Sequence, residues 1–399
     1  MNERKNAMFK LCLTGGPCGG KSSALSMVKQ KLESRGYTVA IVPEAATKII
    51  TSGIVPGVNV SGLDFQRIVM LEQIHNEDMF KDALNLINPE KSVLLCDRGI
   101  GDQYAYMDKK NMGDILAEHN LTKEEAFSRY DCVIHLKTAA DGAIEHYQWN
   151  DPNSESNGNN AARSESPEEA IKADKRTLDG WIGHPHLRMV DNSTSFTEKI
   201  DRVMKEVFTA MGEPVPKEIE RKFLIKKPDK DKLSLLGCVS KTHITQTYLK
   251  SEVPETERRI RKRGSDINGY SYYYTEKTEL SEGVRKEVER LIDAREYATY
   301  LEYEADPDMH TIEKDRYCFM FDGRYFEMDL YPFDDDYAIL EIELNDINEQ
   351  IALPDLGIVK EVTNDYRYRN HSLAMEPVIR PDDVLPKVSL SEIEEEYDF

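Results

Sequence analysis

A proline-containing segment divides the sequence into two parts whose residue patterns require different folds. Before GEPVPKE (212–218), apolar strand-like runs alternate with helical segments, whereas after it short stretches alternate between polar and apolar residues. Strands that alternate with helices predict βαβ units and a parallel sheet. Short strands of period two predict an antiparallel all-β domain. Because its two prolines resist helix and strand pairing, we expect the segment itself to be a linker.

The length of the chain allows two or three domains with cores of their own, since it has 399 residues. We predict an α/β domain at 1–211, a linker at 212–217, an antiparallel β domain at 218–375 and a C-terminal tail at 376–399. The tail ends in SEIEEEYDF, an acidic composition typical of a disordered or loosely docked segment.

The first half is predicted to contain five strands and four main helices. The strands are expected at 10–15, 38–44, 92–99, 132–138 and 186–192, and the helices at 22–36, 62–87, 167–183 and 196–211. Residues 149–170 are polar and rich in Asn, Ser and Gly. Their composition alone is typical of a surface linker, and we expect their first part to form a mobile loop.

The second half is predicted to be a series of antiparallel strands. The alternating stretches are IERKFLI, TQTYLK, RRIRKR, YSYYYTEKT, VRKEVERL, TIEKDRYCFMF, RYFEMDLY and AILEIEL. Within FMFDGRYFEM the pair Asp322-Gly323 is a strong signal for a two-residue hairpin turn.

A phosphate-binding loop is predicted between the first strand and the first helix. GGPCGGKS (15–22) matches G-x-x-x-x-G-K-[ST] in the required context. Its backbone N–H groups and the helix N-terminus favour phosphate, Lys21 reaches the β- and γ-phosphates, and Ser22 is placed to bind Mg²⁺. A chance glycine-rich turn would lack this strand, helix and downstream acid. The candidate nucleotide-binding residues are Gly15, Gly16, Pro17, Cys18, Gly19, Gly20, Lys21, Ser22 and Ser23.

Acidic and basic residues end two of the predicted strands. Asp97 follows the apolar run SVLLC and is a candidate metal ligand and catalytic residue. Glu44 ends the second strand as a candidate base, and Arg98 is a candidate phosphate or acceptor contact. Side chains at the carboxyl ends of parallel strands lie in the ligand crevice. The alternative is that Glu44 and Arg98 form a structural ion pair.

These features give the first half a family resemblance. GGPCGGKSS, VPEAATKII, LLCDRG and WIGHPHLRMVDN make residues 8–211 resemble the NadR-type P-loop domain, which is related in layout to nucleoside and nucleotide kinases. The resemblance implies an α/β P-loop NTPase fold that binds ATP or GTP, with residues 150–176 as a lid. In such a lid Arg163 or Arg176 would neutralise the transferred phosphate.

Charged residues spaced two apart give several strands of the second half one ionic face. For a single strand, such a face is most often the side that meets water. Here the charges are segregated by strand, and the opposite faces are apolar enough to pack on helices. A sheet closed into a barrel would bring these acids and bases together, where acids hold divalent cations and bases hold a polyanion. The charged residues are Glu218, Glu220, Lys222, Arg259, Arg261, Arg263, Lys277, Arg285, Glu287, Glu289, Lys314, Arg316, Glu327, Asp329, Glu341 and Glu343.

This arrangement resembles the CYTH superfamily, the triphosphate tunnel metalloenzymes, over about residues 216–375. The signature E-x-E-x-K is met by Glu218, Glu220 and Lys222. The resemblance implies an eight-stranded antiparallel β tunnel with flanking helices that binds a triphosphate with Mg²⁺ or Mn²⁺.

The resemblance also implies roles for individual residues. The metal ligands would be Glu218, Glu220, Glu341 and Glu343, and the phosphate contacts Lys222, Arg259, Arg261, Lys277 and Arg316. Glu287 and Glu289 would complete the metal site or orient a water. The direction in which Lys314 and Glu327 face depends on the register, because a one-residue change turns a side chain to the other face.

The bulk properties exclude several classes of protein. The net charge of −21 disfavours a sequence-independent grip on nucleic acid, and no sequence-specific nucleic-acid contact is expected. No apolar run is long enough for a membrane span, and the N-terminus lacks the apolar segment of a secretory signal. The six cysteines are scattered without a C-x-x-C pair, which fits reduced thiols in the cytoplasm.

Three functions remain open from the sequence. The first is a metal-dependent tunnel phosphohydrolase for tripolyphosphate, pyrophosphate or a nucleoside or organic triphosphate, coupled to an ATP- or GTP-binding domain. The second is a nucleotide-regulated binding protein whose tunnel holds a phosphorylated ligand, such as a lipid headgroup, without turnover. The third is a small-molecule kinase of the nucleoside type with an auxiliary β domain.

Overall fold

The computed structural model describes residues 8–147, 166–212, 219–251, 253, 256–281, 284–344 and 349–381. The predicted linker, apart from Gly212, therefore lies outside the described residues. We refer to the parts before and after residues 213–218 as the first and second halves.

Five parallel strands form the sheet of the first half. They are β1 (Met8–Thr14), β2 (Thr38–Val42), β3 (Ser92–Asp97), β4 (Cys132–Leu136) and β5 (Leu187–Val190). The order across the sheet is β2-β3-β1-β4-β5, and all four pairings are parallel. β1 is thus flanked by two strands that come later in the chain. The crevice beyond the carboxyl end of β1 is the switch point at which open parallel sheets bind ligands.

Helices cover both faces of this sheet. They are α1 (Lys21–Glu33), α2 (Ala45–Thr51), α3 (Gly62–Ile87), α4 (Lys109–Glu118), α5 (Lys123–Ser128), α6 (Pro167–Trp181) and α7 (Phe196–Ala210). Leu11 and Leu13 face the cluster that includes α1 and α7, whereas Cys12 faces the cluster that includes Trp181. Both faces are buried, which explains the continuous apolar runs in these strands.

Nine antiparallel strands form the sheet of the second half. They are β6 (Ile219–Lys226), β7 (Val239–Leu249), β8 (Thr256–Ser265), β9 (Gly269–Ser281), β10 (Val284–Ile292), β11 (Ile312–Phe321), β12 (Arg324–Leu330), β13 (Tyr337–Leu344) and β14 (Ile358–Glu361). The order is β10-β9-β8-β7-β11-β12-β13-β6-β14. The predicted two-part fold is confirmed. The sheet has one strand more than the eight implied by the resemblance, and the four-residue β14 lies at its edge.

Three further helices belong to the second half, α8 (Lys230–Ser234), α9 (Ala294–Tyr303) and α10 (Asn370–Met375). The predicted hairpin joins β11 to β12, and Asp322 and Gly323 have φ values of 46° and 70°, as the predicted tight turn requires. Ile379 lies within the predicted tail, yet it is buried in an apolar cluster of this half. Residues 382–399 lie outside the described residues. None of the described helices has the length and apolarity needed to cross a membrane.

The two halves contact each other along the edge of the first sheet. The Tyr325 hydroxyl donates to the carbonyl oxygen of His184 at 3.4 Å and accepts from the Gly183 amide at 3.2 Å. The buried Arg263 guanidinium donates to the Gly183 carbonyl. The amide of Glu124 in α5 donates to the Asn268 carbonyl at 3.0 Å. These contacts place β5 beside β12 of the second sheet.

Candidate functional site

The phosphate-binding loop follows β1 as predicted and ends where α1 begins. Gly15 has a φ of +138°, and a Cβ there would lie 2.1 Å from the carbonyl oxygen of Leu136, so only glycine fits. The Lys21 ammonium donates to the carbonyls of Gly15 and Gly16 at 2.7 and 2.8 Å. Burial lowers the pKa of Lys21 to about 8, and Arg98 acts in the same direction. Lys21 therefore lies within the loop, where a phosphate would meet its charge.

The carbonyl groups of the rest of the loop accept hydrogen bonds from residues outside the loop. Those of Pro17, Cys18 and Gly19 accept from the Thr138 hydroxyl, the Ala139 amide and the Lys199 ammonium, respectively. Gly20 caps α1 with a φ of 84°, and Ser22 and Ser23 are exposed in its first turn. Anchoring through the carbonyls orients the backbone of the loop, as a phosphate cradle needs.

The predicted acid and base residues meet at the carboxyl ends of β2 and β3. The Arg98 guanidinium donates to Glu44 Oε1 at 2.5 Å, which is the structural ion pair considered as the alternative. Burial raises the pKa of Glu44, but Arg98 and Thr47 outweigh it and the pKa is lowered overall. Burial and the Glu44 charge raise the pKa of Asp97 to about 6. Of Glu44 and Asp97, Asp97 is thus the acid that nearby bases neutralise less, and a bound metal ion would neutralise it.

Asp102 organises this corner, although the sequence pattern did not single it out. Its buried carboxylate accepts from the Thr14 hydroxyl at 2.6 Å, the Trp181 indole N–H at 3.0 Å and the Gly99 amide at 3.1 Å. The Arg98 guanidinium donates to it at 3.0 Å. Asp102 therefore fixes Arg98, which has a φ of 67°. The only sequence signal was an acid five residues after Asp97.

Helix α6, the described part of the predicted lid, packs on the phosphate-binding loop. The Gly16 amide donates to Asp174 Oδ1 at 2.6 Å, and His135 Nε2 lies 3.2 Å from the same oxygen. Burial raises the pKa of Asp174, but His135 and the Gly16 amide outweigh it and lower the pKa. Arg176 is exposed on this helix, and Arg163 lies outside the described residues.

Strand register brings the charged residues of the second half onto one face of its sheet. Residues directly opposite in an antiparallel pair share a face. Glu343 is opposite Glu220, and Glu341 is opposite both Lys222 and Glu327. The face continues through β11, β7, β8 and β9 to β10. We call it the ionic face; it carries Glu220, Lys222, Arg259, Arg261, Lys277, Glu289, Lys314, Arg316, Glu327, Asp329, Glu341 and Glu343.

A chain of ion pairs runs along one part of the ionic face. Lys222 donates to Glu220 at 3.0 Å and also to Glu341. Arg316 donates to Glu341 at 2.9 Å, to Asp329 at 2.6 and 2.7 Å, and to Glu327. Acids and bases thus alternate, so that each acid of this part lies beside a base.

Asp329 is the centre of this network and was not among the predicted ligands. Its carboxylate is fully buried and accepts from Lys314 at 2.5 Å as well as from Arg316. Its place in RYFEMDLY, two residues after Glu327, was the available signal. Lys314 and Glu327, whose direction depended on the register, lie on the ionic face as well.

The acids of the network are neutralised unequally. Burial and the neighbouring Glu341 raise the pKa of Glu220 to about 7. Burial also raises the pKa of Glu341, but Lys222 and Arg316 outweigh it and lower the value to about 2. Glu220 is therefore the acid on which a further cation would have the greatest effect.

The basic side of the ionic face lies on β8 and β9. Arg261 Nε donates to Gln246 Oε1 at 3.1 Å, and its NH1 lies 3.6 Å from Glu289 Oε2. Arg259 is buried with its guanidinium 3.7 Å from Glu257. Lys277 is half-buried and lies opposite Glu287 in the strand register. The side chain of Glu287 lies outside the described residues.

Two acids of the ionic face contact the first half. Glu289 Oε1 lies 3.0 Å from His186 Nε2, and Glu343 Oε2 lies 2.5 Å from Arg188 NH1. Burial raises the pKa of Glu289, but His186 and Arg261 outweigh it and lower the pKa. The sequence motifs did not identify His186 or Arg188, since their contacts arise only when the halves pack together.

Comparison with known proteins finds likenesses to two kinds of domain. A family model described as an AAA domain matches residues 10–199. The chain is 33% identical over 162 residues to an inorganic triphosphatase of Acetivibrio thermocellus, and the match covers 40% of this chain and 95% of that protein. It is 31% identical over 164 residues to an inorganic triphosphatase of Nitrosomonas europaea, which spans 40% of this chain and 97% of that protein.

The chain belongs to the inorganic triphosphatase family. A solved structure of an inorganic triphosphatase is 28% identical to it, with a TM-score of 0.28, and covers 40% of this chain and 94% of that one. Since the triphosphatase relatives are matched over nearly their whole length but span 40% of this chain, most of the present chain has no counterpart in them.

The acidic side chains of this triphosphatase-family chain are the candidate ligands for a metal ion. Among the described residues, no three His, Cys, Asp or Glu side chains are grouped closely enough to hold a metal ion. The Lys222 ammonium contacts both Glu220 and Glu341. The donor chemistry fits Mg²⁺ or Mn²⁺, because carboxylate oxygens are the ligands of hard cations and Glu220 is poorly neutralised. A cation bound by both acids would have to displace Lys222. Glu218 lies outside the described residues.

Proposed function

We propose that this protein is a metal-dependent phosphohydrolase that cleaves tripolyphosphate, or another compound with a triphosphate group, on the ionic face. The main support is the register that gathers acids and bases of seven strands on that face, since a polyphosphate needs bases along its length and a cation beside it. The names of the two triphosphatase relatives point to the same substrate class.

The proposed roles follow the chemistry of each side chain. Lys222, Arg259, Arg261, Lys277 and Arg316 bind phosphate oxygens, and Glu218, Glu220, Glu341 and Glu343 hold Mg²⁺ or Mn²⁺. When bound, the cation polarises the phosphoryl group and lowers the pKa of the attacking water. Glu287 and Glu289 complete the site, and Glu289 is held by Thr275, whose hydroxyl donates to it at 3.0 Å. Water adds to phosphorus as the P–O bond to the leaving phosphate breaks.

A phosphate-release assay tests this proposal. The full chain is assayed with tripolyphosphate, pyrophosphate and ATP in the presence of Mg²⁺ or Mn²⁺. Release from tripolyphosphate that is lost in Glu341→Gln and kept in Lys21→Ala assigns the activity to the ionic face. No release from any of the three substrates, while Mn²⁺ binding is intact, would exclude the proposed activity.

We further propose that the first half binds ATP or GTP through residues 15–23, with Asp97 at the end of β3 as a contact for the bound Mg²⁺. In the kinase alternative, Glu44 would accept a proton from an acceptor hydroxyl. Its ion pair with Arg98 argues for a structural role of that carboxylate instead. A phosphorylated acceptor that wild type forms and Lys21→Ala does not form would support the kinase alternative.

The second candidate function is nucleotide-regulated binding without turnover. It is favoured by the fact that Glu220, Glu327, Asp329 and Glu341 all contact bases, and that the described residues form no three-ligand metal group. In that case Arg261→Gln weakens the binding of tripolyphosphate, measured by calorimetry, while no phosphate is released by wild type.

A further inference from the structure

Two basic side chains of the first half reach acids of the ionic face. His186 and Arg188 flank Leu187, which is buried in the core of the first half. His186 directly precedes β5 and Arg188 is the second residue of that strand, and both side chains reach the second half. They contact Glu289 and Glu343, respectively, at 3.0 and 2.5 Å.

These two contacts join strands that are far apart in the sheet. Glu289 belongs to the edge strand β10 and Glu343 to β13, and five strands lie between them in the pairing order. The two basic residues are only two positions apart in the chain, which separates their Cα atoms by at most about 7 Å. The sheet must therefore curve so that its two ends approach each other at β5. The first half thus lies at the place where the ends of the ionic face come together.

The contacts are also anchored on both sides. Arg188 lies 3.6 Å from Glu206 of α7, and its side chain is 18% exposed. Glu289 has both carboxylate oxygens engaged, one by His186 and the other by Thr275 and Arg261. Isolated surface ion pairs hold their partners weakly, whereas these are backed by the buried Arg263 contact to Gly183. The orientation of both acids therefore depends on the first half.

We infer that His186 and Arg188 are positioning residues of the proposed hydrolase site, supplied by the first half to orient Glu289 and Glu343. This inference rests on the proposed function for the identity of the metal site. Partners that orient metal ligands from behind commonly contribute 10- to 100-fold to metal affinity. The proposed site is then completed across the two halves, and a fragment containing only the ionic face would lack two of its groups.

Binding of Mn²⁺ to the full chain, measured by calorimetry without nucleotide, tests the inference apart from turnover. Glu341→Gln identifies the binding that belongs to the ionic face. We expect Arg188→Gln to weaken that binding about 10-fold, and Arg188→Lys to retain part of it because a single charge remains. The matched control is Arg202→Gln, since Arg202 pairs with Asp191 in the same half, at 2.7 Å and away from the ionic face.

Each outcome of the Mn²⁺ measurements supports or overturns the inference. Wild-type affinity in Arg188→Gln, or wild type that binds no Mn²⁺ sensitive to Glu341→Gln, overturns the inference. If Arg188→Gln does not fold, His186→Gln provides the second variant, because its side chain is 38% exposed; an unchanged Mn²⁺ affinity and an unchanged ratio of kcat to KM then overturn it. A Mn²⁺ site that responds to Arg188→Gln without any phosphate release would exclude the proposed hydrolysis and keep the inference.

Discussion

Glu220 is the residue whose protonation links the ionic face to metal binding. Its pKa is raised to about 7, so below that pH it is largely protonated and a cation must displace the proton. We therefore expect Mn²⁺ affinity to rise by about 10-fold as pH increases from 6 to 8, and to level off above pH 8. Calorimetry across this range measures the effect. Glu220→Gln removes it, whereas a wild-type affinity independent of pH would contradict the role of Glu220.

Alanine substitutions at two glycines should have opposite effects on the free energy of unfolding. Gly323 has a φ of 70° in the β11–β12 turn, and Gly113 lies in α4; a Cβ at either would meet open space. Gly323→Ala should lower the free energy of unfolding by about 1 kcal/mol through left-handed strain. Gly113→Ala should raise it by up to about 1 kcal/mol, because glycine weakens a helix interior. Chemical denaturation distinguishes them. Equal effects from both substitutions would show that backbone conformation does not decide the result.

At the scale of the element, the phosphate-binding loop and α1 act together. Lys21 is the one basic side chain that contacts the loop carbonyls of Gly15 and Gly16 among the described residues. Lys21→Ala should weaken ATP or GTP binding by roughly 10- to 100-fold, as expected for the loss of a charged hydrogen bond. Fluorescence titration with a labelled nucleotide measures it. Lys29→Ala is the control, since Lys29 lies later in the same helix and pairs with Glu33; nucleotide affinity that falls equally in both variants would deny Lys21 a specific role.

Much of the fold and part of the site follow from periodicity. Alternation of polar and apolar residues predicts which face of each strand is ionic, and this is where Lys222, Arg316 and Glu341 lie. The phosphate loop is likewise predicted, because its motif is local. The roles of Asp102 and Asp174 are not, since Asp102 contacts Thr14 and Trp181 and Asp174 contacts Gly16 and His135, all distant in the chain and brought together only by packing. The short edge strand β14 has too few residues to show a period.

At the scale of the whole molecule, the packing of the two halves creates ion pairs that the sequence of neither half predicts. HPHLRMVD predicts a strand of the first half, yet it supplies a histidine and an arginine to acids of the other half. Ordinary interdomain interfaces are polar and permit movement. Here the buried Arg263 and the Tyr325 hydroxyl add contacts beside the ion pairs. We therefore expect the halves to remain associated, so that a change at β5 affects the ionic face.

The His186–Glu289 pair should make the stability of this association depend on pH. Burial lowers the pKa of His186, but Glu289 outweighs it and raises the pKa above the usual 6.5, with Arg188 and Glu343 as the other charged neighbours. A raised histidine pKa contributes stability that is fully present below pH 6.5 and is lost as pH rises through the folded value. The lowered pKa of Glu289 contributes above about pH 4.5.

The thermal midpoint of the wild-type chain should therefore exceed that of His186→Gln most clearly between about pH 4.5 and 6.5, where both charges of the pair are present. The difference should shrink as pH rises above the raised pKa of His186, because neutral imidazole no longer attracts the Glu289 carboxylate. Differential scanning calorimetry at pH 5.5, 7 and 9 measures it. His119→Gln is the control, because His119 lies at the end of α4 and, within the described part of the chain, has no ion pair with an acid of the ionic face. A difference that grows toward pH 9 would show that His186 acts through packing instead of charge.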